Sequence, residues 1–357
     1  MFNSIFGLIN APHLLSTTSI IVEPIAKFMG IVFNWVFNFI YSFSETGSLV
    51  LGIIVFTLLV KLVLFPLSYK QMKGTYKMQK LQPQLNKIRS KYANKKDEES
   101  QRRMAFEIQE FQKENGASMF AGCLPMLIQL PILYALFYIF RQPYDYVEVI
   151  HDLYNSIANA ILNINVADRV EAFKPIIISK SMSMDLAVFE DVRNLVKNMT
   201  SSDWNTVLSS LGTSGAQIAD FIAQKHSIEF FFGLNLVTSA GLTFPGILVP
   251  ICAGITTFFS SRYMQSRQTQ MTGGSEQEDM AMGMTKSMNI VMPIMMGVLT
   301  INVPVALGVY WTLSNLFSIL QTWMTYKVLE SKDKKGELKL DDNEKDNSKI
   351  SDKKGAK

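Results

Sequence analysis

One ionisable residue, Lys61, sits inside the apolar run from Gly47 to Leu67. A charge at the centre of a membrane-crossing helix costs on the order of 2.5–3.5 kcal/mol on insertion scales, so its presence is a functional hypothesis by default. Thr57 lies one helical turn earlier on the same face. Gln129, in a second apolar run, and Tyr310, Ser314 and Asn315, in the last one, are the polar groups positioned to meet the pair. One cation among hydroxyls and amides, with no carboxylate in any run, describes a wet groove better than an ion pair. Lys61 also stands about two turns from the end of its run, and snorkelling to water is the alternative reading.

A second chemical signal is methionine. Met280, Met282, Met284, Met288, Met292, Met295 and Met296 crowd one stretch. Their flexible, polarizable side chains suit a surface that accepts many apolar partners, although methionine also fills gaps in ordinary cores. Gly273-Gly274 makes the preceding loop pliant.

Catalytic and cofactor chemistry finds little footing. There is no Walker-type phosphate loop, and His13, His151 and His226 lack metal-ligand spacing. No serine occupies a nucleophile elbow, and the absence of intramembrane carboxylates argues against aspartyl proteolysis and proton relay. No enzyme activity, cofactor or metal is expected. A net charge of +4 is too small to argue for nucleic-acid specificity. Cys123 and Cys252 fall inside apolar runs and are expected to be small buried hydrophobes, not a disulfide. The first residues carry no basic n-region and no lipid-attachment cysteine, so a cleaved signal peptide is not expected.

The elements that must position these residues follow from where charge is missing. Hydrophobic residues make up 48% of the 357 and charged ones only 18%, and the two are segregated in blocks. Apolar runs at about 47–69, 119–141 and 244–262 have the length of spans, the third being short. A fourth, too long for one helix, is broken at Asn302-Val303-Pro304 into a short 287–302 and 303–326. The expectation is an all-α, polytopic membrane protein with a five-helix transmembrane core.

Lysine and arginine then orient it. Residues 70–118 carry twelve Lys/Arg against six Asp/Glu, whereas 141–243 carry seven against eleven. The positive-inside rule places 70–118, the Met-rich loop 263–286 and the tail 327–357 in the cytoplasm. The N-terminal segment 1–46 and the 142–243 loop lie outside.

Within 1–46, Glu23, Lys27, Asn34, Asn38 and Ser42 recur near a helical period. Phe28, Ile31, Val32, Trp35, Phe39 and Ile40 fill the other side, giving an interfacial amphipathic helix, with a sixth span as the alternative. Residues 70–118 read as a helical hairpin. Its stripes are Leu81, Leu85, Ile88 and Tyr92, then Met104, Ile108 and Phe111, with the turn at Asn94–Asp97. So basic a pair suits anionic lipid, a ribosome or a targeting partner, or is simply solvated. The external loop is expected to hold helices at Asp185–Met199 and Ser214–Lys225, each with a plausible cap. It would dock a partner, cap the outer side or be a tolerated insertion. The tail, charged and poor in apolar residues, is expected to be disordered.

Several of these stretches resemble one family. The run Phe56–Leu67 with Tyr69-Lys70-Gln71 is similar to the first core span of YidC/Oxa-type membrane protein insertases, and Met78-Gln79-Lys80-Leu81-Gln82-Pro83 to the start of their cytoplasmic hairpin. Gly122-Cys123-Leu124-Pro125 through Gln129-Leu130-Pro131 resembles the second span, and Tyr310-Trp311, Ser314-Asn315 and Gln321 the last. The resemblance covers roughly 24–140 and 244–327. It implies a bacterial cell membrane protein whose five spans enclose a hydrophilic groove, open to cytoplasm and lipid, and lined by Lys61, Thr57, Gln129, Tyr310, Trp311, Ser314 and Asn315. Met280, Met282, Met284 and Met288 would contact clients on the cytoplasmic side. Nascent membrane proteins and the bilayer are the implied partners, with the ribosome and the Sec translocon as further candidates. Two departures stand out: Lys61 replaces the family's arginine, and the 142–243 loop is unusually long. A transporter, or a scaffold that inserts nothing, would also accommodate an intramembrane lysine, but no internal repeat supports the transporter.

Overall fold

A computed structural model of the chain describes residues 12–92, 95, 97–115, 124–267 and 290–337, with side chains of 12–22, 124–128 and 130 left out. Cys123, Met280, Met282, Met284, Met288, Asn94 and Lys96 of the hairpin turn and the tail from residue 338 therefore lie outside the described residues. What is described is mostly helical. The chain divides into two compact units: 1–57, 131–250 and 299–310 form the first, and 58–130, 251–298 and 311–357 the second.

The first unit begins with α1, Pro12–Tyr41, and continues into α2, Ser48–Val63. The α1 reading is amended in one respect. Ala26, Met29, Phe33, Val36 and Phe37 form a buried stripe, while the equally apolar Phe28, Ile31, Trp35 and Phe39 stay exposed. Both broad faces are greasy because one packs on protein. Phe33 meets Phe56 edge-on at 5.3 Å and Phe140 at 5.5 Å, and Gly52 of α2 lies beneath Phe33 and Phe37. Glu23–Tyr41 is, among the described residues, the one unbent helical segment both long and apolar enough to cross a membrane on those criteria.

The second part of this unit is the 142–243 loop, expected to be external, which is a folded helical subdomain. Its helices are α6 Glu148–Leu162, α7 Val166–Ser179, α8 Phe189–Asn198, α9 Ser201–Leu211 and α10 Ala216–Glu229, preceded in the chain by α3 Phe65–Tyr92, α4 Glu98–Glu114 and α5 Leu124–Arg141. Ile150, Ile157, Ile161, Phe173, Val192, Leu195, Trp204, Val207 and Ile228 are fully or nearly buried. That core explains why the segment folds instead of looping. Two of these helices start later than the expected 185 and 214. Asp185 sits before α8 with its carboxylate on the Ala187 N–H, and α10 starts at Ala216 with no side-chain cap. The clear cap is Thr200 on α9, whose hydroxyl accepts from the Asp203 N–H while the Asp203 carboxylate accepts from the Thr200 N–H.

The subdomain is tied to α1 at several points. Asn34 accepts the Glu148 N–H that opens α6, Gln224 donates to the Tyr41 hydroxyl, and Gly47 N–H bonds Ser227 C=O. Gly30 admits the Tyr146 ring so closely that a Cβ there would overlap it. After α10, β1 Phe230–Phe231 and β2 Leu234–Asn235 form a hairpin. The following strand-like stretch, Leu236–Gly241, then bonds the backbone of Ile301–Ala306.

In the second unit, α2 ends at Val63 and α3 starts at Phe65 with a bend of 56°. Pro66, lacking an N–H, accounts for the break inside the stretch expected to be one span. α3 and α4 form the hairpin. Leu81 and Leu85 pack with Met78, Ile108 and Phe111, and Asp97 caps α4 through the Ser100 N–H. Ile88 is only half-buried, and Arg89 beside it is buried, bonding Asn86 at 3.0 Å.

The remaining helices are α11 Leu248–Ser266, α12 Ile290–Thr300 and α13 Val305–Lys334. Met292, Met295 and Met296 are half-buried on α12. α13 continues eight residues past the expected end at 326, so the first part of the tail is ordered helix. The cause is local: Tyr326 and Leu329 bury against Tyr76, and Asp333 accepts from the Tyr76 hydroxyl and from Lys80. Cys252 on α11 is exposed, which corrects its reading as a buried hydrophobe.

Candidate functional site

Lys61, in the last turn of α2, extends its ammonium to the hydroxyl of Ser318 on α13 at 3.0 Å. Ser318 passes its own proton to the Ser314 carbonyl at 2.7 Å. Lys61 thus bonds a neutral oxygen inside the second unit. No salt bridge involves it among the described residues. The expected meeting with Ser314 is displaced by one turn, to Ser318, because a long lysine stem reaches past the nearest turn.

Ser318 belongs to a stripe. Ser314, Ser318, Thr322 and Thr325 follow at intervals of four, four and three, which places them on one face of α13. Ser314, Thr322 and Thr325 are buried, as is the adjacent Gln321. Thr322 returns its hydroxyl to the Ser318 carbonyl, whereas Gln321 Nε2 and Thr325 Oγ1 are buried without a hydrogen-bond partner. Unmet capacity of this kind in a native helix calls for an explanation, and a site that receives polar guests or water supplies one. From Val305 to Tyr326 the helix carries no charged residue.

Asn315 faces α11. Its amide donates to Thr257 at 2.9 Å and to Thr256 at 3.3 Å, and both threonines give their own protons to their helix backbone. These bonds cross-link two apolar helices by polar side chains. Trp311 and Gln129 are half-buried.

Two expected site residues go elsewhere. Thr57, fully buried, spends its hydroxyl on the Ile53 carbonyl at 2.6 Å. Tyr310 is buried with its ring 6.4 Å from Phe140. Both belong to the first unit. The residues that sequence reasoning missed are Ser318, Thr322 and Thr325. Their signal was present: hydroxyls at helical spacing continuing Ser314 in an otherwise apolar run.

On the cytoplasm-facing side of the expected topology, the second unit carries a latch. Tyr76 meets Tyr326 edge-on at 5.8 Å. Lys80 pairs with Asp333 at 2.6 Å, Arg267 with Glu330 at 3.1 Å, and the Tyr326 hydroxyl donates to the Arg267 carbonyl. The Lys80 ammonium holds the Asp333 carboxyl below the usual carboxylate range, with Tyr76 adding a second donor. The latch fixes the base of the basic hairpin to the end of α13. Among the described residues no cluster of ligating side chains is arranged for a metal.

Known proteins of similar sequence bear on what this arrangement does. A profile of the 60Kd inner membrane protein family matches residues 39–333. The membrane protein insertase YidC of Clostridium perfringens is 28% identical over 316 residues, covering 87% of this chain and 93% of its own. YidC of Oceanobacillus iheyensis is 27% identical over 339 residues, covering 93% of this chain and 98% of its own. The membrane protein insertase MisCA of Bacillus subtilis is 26% identical over 274 residues, 77% of this chain and 69% of its own.

Proposed function

We propose, for a chain that belongs to the 60Kd inner membrane protein family, that it is a bacterial membrane protein insertase working through a polar face beside Lys61. The observation that carries the reading is the Lys61–Ser318 bond within a stripe of buried hydroxyls and amide that contains no carboxylate. A lysine paired to a carboxylate is a structural ion pair. A lysine held by a hydroxyl keeps most of its field for a guest.

The proposed sequence of events is physical and needs no nucleotide. The short polar tail of a client approaches from the cytoplasm, where Lys61, Ser314, Ser318, Gln321 and Thr325 lower its desolvation cost. Acidic tails gain most. The client's apolar segment then moves into lipid, and hydrophobic transfer supplies the free energy. Asn315, Trp311 and Gln129 line the same face in this reading, and Thr57 and Tyr310 serve packing. Met280, Met282, Met284 and Met288 remain proposed client contacts.

The topology proposed is five spans, with the N-terminal segment and the 142–243 subdomain outside and α3–α4 and the tail inside. Lys/Arg asymmetry supports it. The contacts of α1 support an interfacial position for that helix. Positions 30, 34 and 41 all touch the external subdomain. Eleven residues of helix cover about 16 Å, so this stretch lies along a water-facing domain, and exposed Phe28, Ile31, Trp35 and Phe39 face the outer leaflet. The basic hairpin is a candidate surface for a ribosome or the Sec translocon.

The test is insertion of a small single-span client into liposomes holding only this protein, without nucleotide. Wild type and Lys61→Arg should insert it, and Lys61→Leu should insert acidic-tailed clients about tenfold less well. Equal insertion by all three would show that Lys61 merely snorkels. No insertion by any, together with solute flux, would favour a transporter.

A further inference from the structure

The tip of the β1–β2 hairpin breaks two rules at one residue. Phe231 pairs with Leu234, leaving Phe232-Gly233 as a two-residue turn with φ of 47° and 77°. Both positive values match the turn type that normally takes Asn-Gly, and a bulky aromatic residue in the first position is strained. Phe232 is also 83% exposed. An asparagine there would relieve the backbone and improve solubility at once. A residue that is wrong for the turn and wrong for water points to a role outside both.

Phe232 is not isolated. Its ring lies 4.4 Å from that of Phe231, which is itself exposed. Pro245 lies against Gly233, bringing Phe244, 80% exposed, to the same end, and Leu242 in that loop is exposed too. Gly246 allows the loop to close tightly, since a Cβ there would overlap the Ala240 carbonyl. The result is an aromatic tip immediately ahead of Leu248, the exposed first residue of α11.

The electrostatics name the occupant. No charged residue occurs between Glu229 and Arg262. Glu229 is 1% exposed, accepts from Lys225 and from the Tyr154 hydroxyl at 2.6 Å each, and so is neutralised inside the subdomain. An apolar tip without charge, continuous with a span, fits the boundary between lipid headgroups and acyl chains, where exposed aromatics gain burial without desolvating an ion. A protein-docking hot spot would ordinarily carry charged residues at its rim, and this segment has none between Glu229 and Arg262, its exposed polar residues being the uncharged Thr238, Ser239 and Thr243.

We propose that Phe231, Phe232, Leu242 and Phe244 form an interfacial anchor that inserts into the outer leaflet of a phospholipid bilayer and sets the depth at which α11 begins. The proposal rests on the reading of α11 as a span. Its test therefore uses full-length protein in phosphatidylcholine–phosphatidylglycerol liposomes with Cys123→Ser and Cys252→Ser. Spin labels are placed singly by Phe232→Cys, Phe244→Cys, Phe259→Cys as the lipid reference and Asn198→Cys as the aqueous one. Collision with oxygen and with a water-soluble nickel chelate reports depth. Labels at 232 and 244 should show an oxygen-to-nickel ratio several-fold above that at 198, close to 259. A lipid-like 259 with a water-like 232 would overturn the anchor and leave the span intact. A water-like 259 would remove the span and the anchor with it. Exclusion of both reagents at 232 would mean a protein partner or a second copy, and would also overturn it. Phe232→Asn should leave the protein folded while raising nickel access at 244 several-fold, and an unchanged depth would strip Phe232 of its role.

Discussion

Two lysines in this molecule sit in apolar surroundings and are treated in opposite ways. Lys225, in the 142–243 subdomain, is closed off: Glu229 bonds it at 2.6 Å, Tyr154 bonds the same carboxylate, and the Lys225 ammonium also lies 5.2 Å from the Tyr154 ring centre. Burial and the neighbouring carboxylate push the Tyr154 phenol well up, so it stays a donor. Lys61 has a serine hydroxyl and a helix face of further hydroxyls. The first arrangement spends its charge within the fold. The second, in the proposed function, keeps it for something that arrives. Buried charge is therefore informative about function only after its partner is known.

The largest effect should come from breaking the closed pair. Glu229→Leu leaves Lys225 buried and uncompensated, and should destabilise the 142–243 subdomain by about 3–5 kcal/mol. Limited proteolysis or hydrogen exchange across 148–229 would read it. Adding Lys225→Met should restore most of the loss, because a dry, well-packed replacement often equals the ion pair. A double variant as unstable as the single one would show that the pair organises the fold rather than neutralising itself.

Next comes Lys61→Leu, which the contrast predicts to be neutral or stabilising for the fold while cutting insertion of acidic-tailed clients about tenfold, equivalent to about 1.4 kcal/mol. Thermal unfolding in detergent and the liposome assay separate the two. Loss of stability alongside activity would make Lys61 another structural lysine, and the comparison would collapse.

How much of this was legible in sequence differs between the two regions. Lys61 announced itself as a lone charge in an apolar run, and the described residues around it are helical. Its partner was hidden, since Ser318 is 257 positions away and serines in apolar helices are common. Thr57 misled because a threonine one turn away suits a groove as well as it suits bonding its own helix, and only coordinates decide. In the external loop, the Thr200-to-Asp203 spacing was a readable helix start, yet Asp185 looked equally good. α1 was ambiguous because its buried face and its exposed face are both apolar, and periodicity cannot tell which side is which.

A smaller effect tests the external region through pH. Burial pushes the Asp203 carboxyl up, but the Thr200 N–H, Lys180 at 2.9 Å and the Thr200 hydroxyl outweigh it and leave it below the usual range. A depressed folded value means the stabilisation is present above the unfolded value, near 4 for an aspartate, and is lost as pH falls through the folded one. Asp203→Ala should cost about 1 kcal/mol at neutral pH, as cap losses do. The difference from wild type should shrink under acid, and a pH-independent difference would show that Asp203 acts through packing.

The smallest expected effect cuts deepest into the comparison. Ser318→Ala removes the one oxygen bonded to the Lys61 ammonium among the described residues. In a dry site, stranding that charge should cost as much as Glu229→Leu, several kcal/mol, because nothing replaces the lost bond. In a wet one, water substitutes and the loss falls to about 0.5–1 kcal/mol, with client insertion reduced only two- to threefold. Unfolding of Ser318→Ala beside Glu229→Leu therefore measures the wetness of the Lys61 face directly. Equal penalties would mean that both lysines are sealed, that the unmet polar atoms of Gln321 and Thr325 are strain, and that the polar face receives nothing. A small penalty paired with a selective loss for acidic clients places water and a guest beside Lys61.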